Sequence, residues 1–334
     1  MDLISIWNDI WRTRAKTWTY AEIPASKTPE GLGQDPVIAE SVYLNVWLTS
    51  FRITDVRKGL KEFYGTVHSF ITLPVLGDQK ADFQVVTTPG QLQKIDAENV
   101  DRIIVLNQRL LGPIPYRGGD LAMEVGLFSI KEADLAAPFL SVLESMSKIG
   151  GVSFIATALP FAGPIRDGIN LLAGANGDSV LEIGLSRQYN PVKTGYFVVM
   201  RAEQGEVDPN KFRIDQTHQL VDDATGANIK DFPYLVFRID ASSQRDDWHQ
   251  VPELKTTYAS LQEVIRKGQN TQVDDAFAIF RRTALTCADL LFSDAKRLVA
   301  KVEADVAAII GPTRTASVSG KSMRPLREVD LYGS

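Results

Sequence analysis

The chain reads as an α+β protein: an antiparallel β-sandwich with a long helical insertion, followed by a C-terminal helical region. Three observations predict this. About nine segments of strand-like character are separated mostly by turn signals, with few helices between them. From Val251 onward the apolar period changes from two to 3.6. Within the strand-bearing part lies a charge-free run, Ile149 to Ile165, flanked by two strands that share a short pattern, Glu-Val-Gly-Leu (124–127) and Glu-Ile-Gly-Leu (182–185).

Residues 1–36 read as an amphipathic helix and a linker. Leu3, Ile6, Trp7, Ile10 and Trp11 recur at helical spacing, with Arg12, Arg14 and Lys16 late, where the helix dipole favours cations. Trp7 and Trp11 stand four apart and share a face. That face can dock on the protein itself or lie on an anionic membrane, and the sequence favours docking. Ile23 to Pro36 contains Pro and Gly and reads as an irregular connection.

Residues 37–242 carry the sandwich. Val42, Leu44, Val46 and Leu48 alternate with Tyr43, Asn45 and Trp47, a strand with two differently packed faces. Further strands are expected over Phe63–Leu73, Phe83–Thr87, Asp101–Asn107, Asp120–Ile130 and Asp178–Ser186. Gly195–Arg201, Phe212–Asp215 and Tyr234–Asp240 complete the set. Gly112-Pro-Ile-Pro reads as a loop, because two prolines remove two ladder donors. The insertion occupies about 131–177. Its first part, Ser129 to Ile149, places Leu135, Phe139, Val142, Leu143 and Met146 on one helical face; Pro160 and Pro164 divide its second part into short helices.

Residues 250–311 show three apolar stripes, led by Leu254-Tyr258-Leu261, Val273-Phe277-Phe280 and Leu298-Val302-Ile309, a small helical layer. Ser293 reads as the N-cap of the third helix. Residues 312–334 are polar and basic and read as a mobile tail.

Composition narrows the function. A net charge of −5 over 334 residues argues against a general nucleic-acid binder. One cysteine excludes an internal disulfide framework and suits a reducing compartment. No secretory signal pattern opens the chain and no apolar run reaches eighteen residues, so a cytoplasmic protein is expected.

No motif fixes a chemistry. Cys287 sits on an apolar stripe and reads as a small hydrophobe rather than a nucleophile. His68, His218 and His249 are scattered, without metal-ligand spacing. Neither a phosphate-cradling loop nor a dinucleotide fingerprint occurs. Asp222, Asp223, Asp231, Asp240, Asp246 and Asp247 are the acidic candidates for Ca²⁺, but Asp231 and Asp240 lie at opposite ends of one strand, about 20 Å apart. They read as solvated turn acids. No catalytic, cofactor-binding or metal residue is therefore assigned, and no cofactor.

The function expected is a non-enzymatic scaffold or assembly component that binds a partner protein or itself. Its contact surface is Trp7, Trp11, Phe154, Leu159, Phe161 and Leu172. One alternative is a membrane-binding or membrane-permeabilising effector using the 149–176 apolar insertion. Another is a metal-assisted hydrolase built on the loop aspartates.

Overall fold

The computed structural model describes residues 18–53, 63–75, 80–86, 94–95, 104–131, 179–202, 205–310 and 323–331. The fold is mixed α+β with antiparallel sheets and, among the described residues, three α-helices and no barrel. The expected contact residues Trp7, Trp11, Phe154, Leu159, Phe161 and Leu172, and the insertion beyond Lys131, lie outside the described residues.

One five-stranded sheet has the order β1 (Thr19–Ile23), β9 (Gly195–Met200), β12 (Tyr234–Ser242), β2 (Tyr43–Arg52) and β6 (Ile104–Pro115). The second runs β4 (Lys80–Val86), β3 (Phe63–Pro74), β7 (Leu121–Lys131) and β8 (Ser179–Tyr189), with the short β5 (Lys94–Ile95) also on β3. Alternation decides which residues leave the water. Leu44, Val46 and Leu48 of β2 meet Val67 and Ile71 of β3 and Met123 and Val125 of β7 in one shared core. Phe197 of β9 stacks on Phe237 of β12 at 5.2 Å and meets Tyr189 of β8 edge-on at 5.7 Å, so rings from both sheets interlock.

The repeated tetrapeptides pair with each other. Val125 opposes Leu185, Gly126 opposes Gly184 and Leu127 opposes Ile183, so the resemblance seen in sequence is a strand pairing in space. Gly112-Pro-Ile-Pro is not a loop. It continues β6, with Pro115 opposite Tyr43 and Ile114 opposite Leu44. Prolines are tolerated there because β6 is an edge strand whose outer side needs no ladder donor. Gly112 takes φ +103°, and a Cβ on it would come within 2.3 Å of the Leu44 carbonyl oxygen, so only glycine allows this close approach. The sequence assigns no strand to Thr19–Ile23, yet this stretch forms β1. Its side chains alternate buried and half-buried, as an edge strand on β9 requires.

The outer face of the first sheet is covered at both ends. A hairpin of β10 (Phe212–Ile214) and β11 (Leu220–Asp222) closes one end over Ile23, Val198, Met200 and Val236. At the other end stand three helices, α1 (Pro252–Arg266), α2 (Asn270–Thr286) and α3 (Phe292–Ile310), around Leu254, Tyr258, Phe280, Leu298 and Val302. The spacing of Val273, Phe277, Phe280, Ala284, Cys287 and Leu291 predicts one helix through Leu291, but the helix ends at Thr286: Cys287 caps α2, and Leu291 lies in the connection to α3, of which Ser293 is already a part. Cys287 is buried, and burial pushes its thiol up to about 12, in line with a packing role.

The sequence predicts a mobile tail over 312–334, but residues 323–331 form a docked strap. Met323, Leu326, Val329 and Leu331 enter the helical core. Arg324 grips Asp305 of α3 with two hydrogen bonds of 2.7 Å, and its carbonyl accepts from the Tyr258 hydroxyl at 2.9 Å and Gln262 at 3.1 Å. The segment looks polar because its apolar residues are spaced apart by charged ones. Truncation after Ile310 should lower the melting temperature by several degrees, and Leu326→Ala should cost about 2 kcal/mol, the low end for a leucine at the margin of a core. A thermal melt unchanged by the truncation would restore the mobile tail.

Candidate functional site

Between the hairpin and the helices the described residues leave part of the outer face of the first sheet uncovered. Four strands place one side chain each on a single cross-strand row: Tyr196 on β9, Arg238 on β12, Trp47 on β2 and Arg109 on β6. These residues are Cα partners, so the row is a consequence of register and not of loop conformation. Aromatic and cation alternate along it. The Arg109 guanidinium lies 4.6 Å from the Trp47 ring centre and the Arg238 guanidinium 5.4 Å, so the indole is held between two cations.

Each end of the row is fixed differently. At the hairpin end the Asp215 carboxylate accepts from the Thr217 and Gln219 backbone N–H groups, both at 2.9 Å, an Asx turn that places His218 at φ +61°. The imidazole then stacks on Tyr196, with Nδ1 2.7 Å from the tyrosine hydroxyl. That hydroxyl donates to Glu30 at 2.7 Å, and Arg238 donates to Glu30 at 3.0 Å. Burial raises the Tyr196 hydroxyl well above its ordinary value, so it stays protonated.

Next in the row's shelter is Asp240. Its Oδ1 accepts from Asn45 at 2.9 Å and its Oδ2 pairs with Arg238 at 3.2 Å. Burial pushes this carboxyl above its ordinary 3.8, while Arg238, Asn45, Trp47 and Arg109 pull it back. Arg238 answers to opposing forces: burial works against its charge, and Tyr196, Asp240 and Glu30 together leave it held more firmly protonated.

At the β6 end the floor drops into a cleft of about 580 Å³. Asn45, Arg109 and Pro113 form its sheet side. Ser242, Gln244, Asp246 and Trp248 form a second wall, and the strap from Arg327 to Leu331 forms the third. The strap's docking is thus what makes this surface concave. Among the described residues Arg109 makes no ion pair, whereas Arg238, Arg117, Arg245, Arg297 and Arg324 each have a carboxylate.

The aspartates singled out in sequence do not converge. Asp222 caps its own turn, accepting from Thr225 N–H at 2.8 Å; Asp223 pairs with Lys27 at 2.7 Å; Asp247 accepts from Arg245 at 2.6 Å; Asp231 is exposed. Asp240 and Asp246 alone border the open face. Among the described residues no group of three His, Cys, Asp or Glu is arranged to hold a metal ion. Nor is any helix among them long and apolar enough to cross a membrane.

Sequence reasoning does not find the row. Its signal is the second face of the Val42–Leu48 strand, where Asn45 and Trp47 sit among aliphatics, and the charged Arg238 and Asp240 inside an otherwise apolar run. Which strands lie side by side is not legible there. The chain matches no family model, no curated protein and no solved structure.

A raised carboxyl has a definite pH signature. Asp240 binds its proton more tightly in the fold than in the unfolded chain, so its contribution to stability is present below 3.8 and is lost as pH rises through the folded value. A carboxyl-carbon NMR titration should place its midpoint above 3.8, and Arg238→Gln should raise it further. A midpoint at or below 3.8 contradicts the arrangement.

Proposed function

We propose that this protein is a non-enzymatic scaffold or assembly component that acts through protein–protein contacts. The observation carrying this reading is the cleft beside the Tyr196-Arg238-Trp47-Arg109 row. Its groups are of the kind that hold a ligand by stacking and hydrogen bonding, and arginine and the aromatic residues are those enriched where protein surfaces meet. In this reading the two sheets stack face to face as a sandwich of residues 37–242. The apolar residues Phe154, Leu159, Phe161 and Leu172 of the insertion, with Trp7 and Trp11, supply a second contact. A cytoplasmic setting suits a chain with a single cysteine and so no internal disulfide.

Light scattering across a concentration series tests the proposal, comparing the intact chain with the Phe154→Ser, Phe161→Ser variant. Association that weakens by at least about tenfold in the variant, with circular dichroism unchanged, is the expected result, since each deleted ring removes about 1.5–3 kcal/mol of buried apolar surface. A chain monomeric at every concentration overturns the self-association form of the proposal. Vesicle leakage by the intact chain that the variant loses, with assembly intact, would establish the membrane effector instead.

A further inference from the structure

We infer that the cleft receives a polypeptide segment of a partner that carries a carboxylate, with Arg109 as the anchoring residue. The inference rests on the scaffold reading and specifies which chemistry its cleft selects. Arg109 is half-buried, stacks on Trp47 at 4.6 Å and lines the cleft. Among the described residues no carboxylate stands within ion-pair distance of it, although its charge acts on Asp240, and its Nε is buried without a hydrogen-bond acceptor. Keeping a guanidinium partly desolvated without a direct carboxylate bond is costly, and a ligand carboxylate would supply that bond. The cation–π contact with Trp47 restrains the guanidinium before a ligand arrives.

The surroundings select the kind of anion. Asp246 faces the cleft from the wall opposite β6, and Glu328 and Asp330 face it from the strap. Of the cleft's lining groups only Arg109 and Arg327 are cationic, and Arg327 already has Glu328 3.9 Å away. A phosphate, carrying up to two charges, meets three carboxylates; a carboxylate carries one charge and matches the planar fork. The acidic walls then favour a basic residue near the anchoring carboxylate, so the segment carries both signs. A polypeptide supplies that pair of charges on one backbone.

The test is NMR of the full chain, following the Trp47 indole and Arg109 Nε–H signals during titration. The probes are acetyl-Glu-Ala-Lys-amide, the same peptide with Gln for Glu, acetyl-Glu-Ala-Ala-amide, and inorganic phosphate. The first peptide should give a saturable shift, and the Gln peptide should bind about tenfold more weakly or worse, the loss expected on removing a charge-assisted pair. Arg109→Gln should abolish the response, and Arg109→Lys should restore part of it, the charge without the fork. Asp246→Asn with Glu328→Gln should weaken the lysine-bearing peptide relative to acetyl-Glu-Ala-Ala-amide, whose own binding should hold or tighten as two repelling charges are removed. No saturation in the intact chain, or equal binding of the Glu and Gln peptides, overturns the inference, as does phosphate binding tighter than the Glu peptide. No peptide response in the intact chain while concentration-dependent assembly persists refutes this inference alone; a chain monomeric at every concentration counts instead against the self-association form of the scaffold reading.

Discussion

The open face exists because a buried arginine fixes the helices against the sheet. Arg245 is fully buried, in the connection after β12, and donates to the Asp247 carboxylate at 2.6 Å and the Asp289 carbonyl at 2.7 Å. Asp289 belongs to the tight link between α2 and α3, and that link is held from two further sides. The Tyr43 hydroxyl accepts from the Leu291 N–H at 3.0 Å and donates to Asp294 at 2.8 Å. Arg117 donates to the Leu290 carbonyl at 2.9 Å while pairing with Glu40. Residues far apart in the chain therefore converge on one short link. Charges buried this way are costly unless each has partners, and the partners here come from both the sheet and the helices. Withdrawing either region breaks the bonds that Arg245, Tyr43 and Arg117 make to the link.

From that knot the geometry of the cleft is built in steps. The link positions α3, α3 presents Asp305 to Arg324, and Arg324 seats the strap whose far end closes the third wall. The sheet needs no comparable device, since its register alone aligns Tyr196, Arg238, Trp47 and Arg109. A rigid row flanked by a docked strap is the kind of surface on which recognition costs little reorganisation. The apolar cores on either side, one beneath the hairpin and one among the helices, keep this polar strip from collapsing.

Periodicity makes much of this legible. The inward residues of β2 and the stripes of α1, α2 and α3 lie where the sequence indicates, because burial on one face is a local property of the chain. The prolines of β6 mislead, since whether a strand is an edge depends on neighbours that a sequence does not display. The strap misleads because its apolar residues have no regular period; they fit a groove, and the groove is made by other elements. The row of four is hidden for a related reason. Trp47 is readable as the odd residue on its strand, but Arg109 and Arg238 acquire meaning only once β6 and β12 are known to flank β2.

Hydrogen exchange of the intact chain and of Arg245→Leu measures the dependence directly. Removing the arginine strands Asp247 and the acidic link, a change worth about 3–5 kcal/mol when one member of a buried charge pair is deleted. We expect α1, α2, α3 and the strap to lose protection together, while β2, β9 and β12 keep theirs, and the cleft residues Trp248 and Val329 to open with the helices. Unchanged protection of the helices in the variant, or loss spread evenly over sheet and helices, would contradict the claim that this arginine holds the two together.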